Sequence, residues 1–389
     1  MEAAQYLFRR QTSIAILALI FIAQACAPSE KSIVTVQGII NQDTTWNADT
    51  IYVLDQQVQV VQGATLTIEP GTLIKAKQGE YPNASMLIIA KGSKINAAGT
   101  AQKPIIFTSF DDNIMSVGES SQTVLSENNK GLWGGIIILG NAPISTATGD
   151  QATFYIGLDP NDPNSYYGGE NPEDNSGVLK YVSIRYGGTY MGTGSESNGL
   201  TLCGVGNKTT IDQIEIYANQ DDGIEFFGGT VNASNIMVYS SGDDGIDIDE
   251  GYSGKIKNVM VVLGEQSDSG IEISGGKGDF TGDFNISEAK LMVHTPMEDQ
   301  RIMSIDEKSK GTLETVLATN FLDVSKIELS STEVILNSLQ ITKKDKLSNS
   351  MDEISGGVAT DKQVKFSDAT ELDNQKGFDW TLAQQKVSH

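Results

Sequence analysis

Histidine and cysteine are almost missing from this chain, with two of each in 389 residues. That scarcity excludes a His/Cys zinc centre, and a single pair of cysteines cannot hold a disulfide scaffold together. Arginine is nearly as rare: Arg9, Arg10, Arg185 and Arg301 are all there are. Basic residues number 27 against 50 acidic ones, for a formal net charge of −23. Residues 1–25 carry a net +1, which leaves −24 on the rest. Such a surface repels phosphate backbones and excludes nucleic acid as a partner. No helical heptads run through the sequence, and no apolar run reaches the ~20 residues that span a bilayer.

Glycine is what the chain has in excess, 40 residues or about a tenth, against a usual ~7%. It falls at regular intervals. Gly199-Leu-Thr-Leu202, Gly223-Ile-Glu-Phe226, Gly245-Ile-Asp-Ile248 and Gly270-Ile-Glu-Ile273 repeat one phrase at spacings of 24, 22 and 25 residues. A second phrase, Ile214-Glu-Ile216, Ile236-Met-Val238 and Val259-Met-Val261, keeps step with shifts of 22 and 23. Short strands recurring every 20–30 residues are the mark of a solenoid, where each coil buries its apolar side chains against the next. The expected fold class is therefore all-β, a single-stranded right-handed parallel β-helix with N- and C-terminal caps.

The domain organisation follows from where the period starts and fades. Residues 1–25 read as a lipoprotein signal peptide: Arg9 and Arg10 precede the apolar run from Ile14 to Ala23, and the stretch closes on Ala25-Cys26. Cys26 is the expected lipidation site, with residues 26–36 as acylated cysteine and tether. The parallel β-helix with its N-terminal cap is assigned to 37–345. A polar C-terminal cap and tail, including Phe378-Asp-Trp380, fills 346–389. Two long loops break the coils, a polar one from Asp111 to Lys130, expected to be mobile, and a proline-containing acidic one from Asp159 to Gly177. Cys203 reads as a small residue at a coil corner.

Several phrases carry a resemblance. Gly63-Ala-Thr-Leu-Thr-Ile-Glu-Pro-Gly71, Leu132-Trp-Gly-Gly-Ile-Ile-Ile-Leu-Gly-Asn-Ala-Pro143, Asp174-Asn-Ser-Gly-Val-Leu-Lys-Tyr-Val-Ser-Ile-Arg-Tyr-Gly187 and Asp221-Asp-Gly-Ile-Glu-Phe-Phe-Gly-Gly-Thr-Val-Asn232 occur in that order. Over about residues 45–345 the chain resembles Bacteroidota envelope lipoproteins with a right-handed parallel β-helix of pectate-lyase type. The resemblance implies fold and cell-envelope location, and no catalytic residues.

Alternation along the repeated strands sends Ile224, Phe226, Ile246, Ile248, Ile271 and Ile273 inward and stacks Glu225, Asp247 and Glu272 outward. Adjacent coils lie ~4.8 Å apart, so unpaired carboxylates at that spacing repel. A bound cation, a raised pKa or plain hydration would each relieve the repulsion. Asp222, Glu225, Asp244, Asp247, Asp249 and Glu272 form the candidate metal set, with calcium as the fitting ion because it takes carboxylate oxygens in flexible geometry. Tyr166 and Tyr167 are candidate sugar- or partner-binding residues. The expected role is binding or scaffolding at the cell surface, anchored to the membrane through the N-terminal lipid, with a glycan or an outer-membrane protein as ligand. The alternative is a calcium-dependent polysaccharide lyase or glycoside hydrolase drawing on Glu225, Asp247, Glu272 and Arg185. Gly242-Asp-Asp-Gly-Ile246 resembles the acidic motif of β-helical polygalacturonases without its accompanying histidine.

Overall fold

The computed structural model describes residues 31–192, 195–322, 327–342 and 377–387; the expected signal peptide, the expected lipidation site Cys26 and most of the C-terminal tail lie outside them. From Ser32 onward, 24 strands join into one hydrogen-bonded network in which successive coils pair in parallel. The chain is a right-handed parallel β-helix, the hand that parallel crossovers almost always take. The first strand, Ser32–Ile40, already pairs with Thr50–Val60, so the solenoid starts earlier than residue 37.

Each coil contributes to three parallel sheets. The first sheet stacks Ile216 on Val238 and Val261 on Leu291. In the second, Leu200–Cys203, Ile224–Phe227, Ile246–Asp249 and Ser269–Ile273 follow one another. The third is built from the early halves of the long strands Thr210–Tyr217, Asn232–Tyr239 and Lys255–Leu263. Those strands turn between the third and first sheets at one residue of left-handed conformation, Gln213, Asn235 and Asn258 on successive coils. Asparagine tolerates that region better than most residues, and here its amide also bonds along the stack, from Asn258 Nδ2 to Asn235 Oδ1 at 2.6 Å.

Inward positions of all three sheets merge into one continuous apolar core. Glu225 lies beside Asp247, and Asp247 beside Glu272, as the repeat requires. The repeated glycine has a packing reason: a Cβ at Gly223 would fall 2.4 Å from a Val238 methyl, and one at Gly245 2.3 Å from a Val261 methyl.

Two segments cover the outer face of the first sheet. The stretch from Asp111 to Lys130 is pinned there instead of being a free loop. Lys75 Nζ donates to the Asp112 carbonyl at 2.6 Å, Thr108 Oγ1 to Asp112 Oδ2 at 2.8 Å, and Ile114 is buried against Ile51, Leu73 and Ile106. The described C-terminal residues, with helix α1 (Leu382–Val387), lie along the flank of Thr210–Tyr217 and Asn232–Tyr239, so this part of the tail covers a side wall. Phe378, Leu382 and Ala383 bury against Tyr217, Met237 and Tyr239, while Trp380 Nε1 donates to Gln213 Oε1 at 2.9 Å.

Candidate functional site

The outer face of the second sheet changes character along the solenoid. On the early coils its outward positions are apolar, Ile88 and Ile137, and on the later coils they become Thr201, Glu225, Asp247 and Glu272. An apolar outward face must be covered, and residues from the 141–176 insertion cover it. Ile144, Tyr155, Leu158 and Tyr167 bury with Met86, Ile88, Ile137, Leu139 and Cys203 in a second core outside the barrel. Full burial of each such side chain contributes about 1.5–3 kcal/mol. The cover ends where the acids begin.

At that boundary lies a cleft of about 600 Å³. The short hairpin of Thr153–Phe154 and Tyr166–Tyr167 stands on one side. A second hairpin, Tyr190–Gly192 with Ser195–Glu196, also contributes. Glu196, Asp221, Asp222, Glu225, Asp243 and Glu250 line the cleft together with Tyr155, Tyr167, Tyr190 and Phe227. Among the described residues, no lysine, arginine or histidine lines it.

Three parallel sheets, a cleft on the outer face and loops rising from the strand ends define the architecture, and a family model described as a pectate-lyase-like beta helix domain matches residues 38–384. The chain belongs to the pectate-lyase-like β-helix family. No curated protein and no solved structure matches it.

Within this pectate-lyase-like β-helix, crowding in a dry environment sets the protonation of the acids. Burial first, then the neighbouring Asp243 and Glu196, pushes Asp221 up to about 7. Asp222 and Glu225 stand well above the usual carboxylate range, again by burial first, reinforced by Asp247 and Asp222 respectively. Asp244 is pushed up to about 10 by burial and by its hydrogen bond with Glu272. Neutral carboxyls both donate and accept, so they can meet sugar hydroxyls in either sense.

The six acids expected to form one metal set are divided by the structure. Oxygens of Asp222, Glu225 and Asp247 lie within 4.8 Å of one another, while Asp244 groups with Asp243 and Asp268. Asp222 and Asp244 also join coils: Asp222 Oδ1 accepts the Asp244 N–H at 2.9 Å, and Asp244 Oδ1 accepts the Ser269 N–H at 2.7 Å. Asp249 is paired with Lys277 at 3.1 Å, and Glu272 accepts from Ser304 Oγ at 3.4 Å. Arg185 belongs to the first sheet, 1% exposed and paired with Glu215, and does not stand beside the acidic column. Of the two tyrosines, Tyr167 lines the cleft, whereas Tyr166 donates its hydroxyl to the Pro160 carbonyl at 3.1 Å outside it. Cys203 is buried in the outer core, its thiol pushed up by burial.

Sequence reasoning left Asn198, Glu196, Tyr155 and Tyr190 out of the site. Glu196, Tyr155 and Tyr190 come from loops whose path no period dictates, whereas Asn198 precedes Gly199 of the repeat as Asp222 precedes Gly223 and Asp244 precedes Gly245, and Asp221 and Asp243 open the repeated Asp-Asp-Gly phrase.

Glu250 offers a test of the cleft's electrostatics. Its carboxylate accepts from the Tyr167 hydroxyl at 3.1 and 3.0 Å, yet burial prevails and raises it from 4.5 to about 7. The unfolded chain thus releases this proton first, and the group's contribution to stability is lost as pH rises from about 4.5 to about 7. Glu250→Gln retains an acceptor for Tyr167 without the ionisation. The variant is expected to melt above the wild type beyond pH 7, by on the order of 2 kcal/mol, and to match it near pH 4. Thermal scans across that range in chelator decide it; parallel curves would contradict the assignment.

Proposed function

We propose that the chain is an envelope-anchored β-helical lipoprotein, acylated at Cys26, that binds a neutral glycan in the cleft beside the acidic column. The observation that carries this reading is the lining itself: carboxyl groups and the exposed ring of Tyr190, with no basic side chain among the described residues that line it. Carboxyls grip hydroxyls by hydrogen bonds, and Tyr190, 41% exposed, offers a ring to a sugar's apolar face. With no cationic side chain among its described lining residues, the cleft offers an acidic polysaccharide no counter-charge. The apolar outer core fixes the cleft wall before any ligand arrives, which lowers the ordering cost of binding. Envelope location is supported by the leader sequence and by the likeness to Bacteroidota lipoproteins.

The test is binding of the full chain in detergent to a panel of neutral and acidic oligosaccharides by calorimetry. Tyr190→Ala and Asp221→Asn are each expected to weaken a neutral ligand at least tenfold, the first with the melting temperature unchanged and the second with it no lower than the wild type's. Binding confined to acidic glycans, or unaffected by either substitution, would overturn the reading. Labelling of wild-type and Cys26→Ser chains with a fatty-acid analogue checks the anchor.

A hydrolase is the second reading, favoured by Asp221 at about 7 among neighbouring carboxyls, a suitable proton donor at neutral pH. New reducing ends from a bound glycan, lost in Asp221→Asn, would select it. A lyase relying on Arg185 is not retained, since that guanidinium is buried in another sheet.

A further inference from the structure

A terminal coil of a solenoid offers unpaired backbone and the mouth of the core, so each end needs a cover. The first coil here comprises Ser32–Ile40 and Thr44–Trp46, and among the described residues these strands pair only with the next coil, through Thr50–Val60 and Thr65–Ile68. Their other edge is open. Inward-facing Val34 is 44% exposed although its neighbour Tyr52 is buried, and Val36 and Ile40 are only partly buried against the core. Ile33 and Ile39 point outward and are 58% and 64% exposed. Ile33 continues the row Ile51, Leu73 and Ile106, which is buried together with Ile114 two coils further on. Edge strands are ordinarily defended by charge or proline. From Ser32 to Gln42 this one has neither.

The chain itself says what meets this end. Only residues 27–31 separate Cys26 from Ser32, and five residues reach at most about 18 Å. An acyl group on Cys26 therefore brings a bilayer to the first coil. We propose that this coil rests on the membrane as a second, non-covalent contact, with Ile33, Val34 and Ile39 set into the headgroup layer; the inference rests on the acylation of Cys26. The open strand edge limits the depth. Its N–H and C=O groups find hydrogen-bond partners among headgroups and water but none in hydrocarbon, so the side chains reach the acyl boundary while the backbone stays above it. Asp43, which follows the strand, is turned to the next coil, where its Oδ1 accepts the Thr65 N–H at 2.8 Å. Seating this end also places the cleft. Glu225 stands five coils beyond Ile39, through Gln59, Ile88, Ile137 and Thr201. At ~4.8 Å a coil, the glycan cleft is held about 24 Å above the contact and clear of the headgroups.

The experiment places the acylated full chain in phosphatidylcholine vesicles with or without brominated acyl chains, after its intact mass has established the acyl group. A fluorophore is attached at Ile39→Cys and, as control, at Ile335→Cys in the last described coil; both positions are exposed, and Cys203 is buried away from the label. Bromine quenches at contact range, so an anchor without a seated coil leaves both labels bright. The label at 39 is expected to be quenched at least twofold and the label at 335 by less than about a tenth. Adding Ile33→Asp, at an exposed position, should at least halve the quenching at 39 while acylation and melting temperature are unchanged. An acylated chain whose label at 39 escapes bromine overturns this inference and leaves the anchor standing. A chain without the acyl mass overturns the anchor reading and the inference with it. Cross-linking of Ile39→Cys to the same position of a second chain in the vesicles would show another copy covering the end, and would also overturn it. If Ile33→Asp fails to fold, the labels at 39 and 335 still decide.

Discussion

Arg185→Met is expected to destabilise the folded chain by about 3–5 kcal/mol, the scale of breaking a buried ion pair from one side. Arg185 is 1% exposed and its partner Glu215 is fully buried. The guanidinium approaches Glu215 Oε2 at 3.4 Å through Nη2, while Nε donates to Ser183 Oγ at 2.7 Å and Nη1 to the Ser120 carbonyl at 3.1 Å. Ser183 in turn donates to Glu215 Oε2 at 2.6 Å, and Glu215 Oε1 accepts the Ala383 N–H at 2.7 Å. One charge pair thus fastens two covering segments, the 111–130 stretch and the C-terminal helix α1, to the same sheet face. Methionine fills the volume but leaves a buried carboxylate without a counter-charge. In the pair Arg185→Met with Glu215→Leu the lone charge is gone, and most of the stability should return, although the Ala383 N–H then lacks its acceptor. Denaturant melts give the magnitude, and hydrogen exchange at Ala383 shows whether α1 loosens. A single-variant loss below about 1 kcal/mol would mean that the carboxylate finds water or a proton instead.

That network explains a feature of the repeat that alternation alone misreads. The middle positions of the second phrase, Glu215, Met237 and Met260, point out of the barrel, where polar residues are expected, yet all are buried. Two methionines on a supposedly solvated face mark a face that something covers, and the covering helix lies more than a hundred residues further along the chain. Local periodicity carried the coil register, so Glu225, Asp247 and Glu272 could be aligned from sequence. It could not carry the cleft, because Tyr155, Tyr190 and Glu196 arrive on insertions of irregular length. Nor could it find Arg185's partner. An insertion between the strands Gly177–Arg185 and Thr210–Tyr217 breaks the period there, and the register that sets Ser183 beside Glu215 appears only when coils are stacked.

The glycine of the repeated phrase is where sequence and packing can be tested against each other. Gly245→Ala is expected to cost about 3 kcal/mol, at the upper end for overfilling a packed interior. The added Cβ would lie 2.3 Å from Val261 Cγ1 and 2.7 Å from the Gly270 carbonyl oxygen on the next coil. The coils cannot spread to admit it, because Gly245 N–H is bonded to the Ser269 carbonyl at 2.9 Å and its own carbonyl accepts the Ile224 N–H at 3.3 Å. Trimming the side chain in Val261→Ala frees the first contact and leaves the second, which is backbone. The double variant should therefore recover part of the loss attributable to the clash, and the interaction term of a double-mutant cycle, about 1 kcal/mol, measures that part. Gly118→Ala is the control: its Cβ would meet only Ser116 Oγ at 3.7 Å, and a change within about 0.5 kcal/mol is expected. Because Gly199, Gly223 and Gly270 meet Ile216, Val238 and Leu291 in the same way, the recurrence every two dozen residues is read as a contact repeated on each coil. Should Gly245→Ala unfold no more readily than Gly118→Ala, that contact would not be what keeps glycine in the phrase.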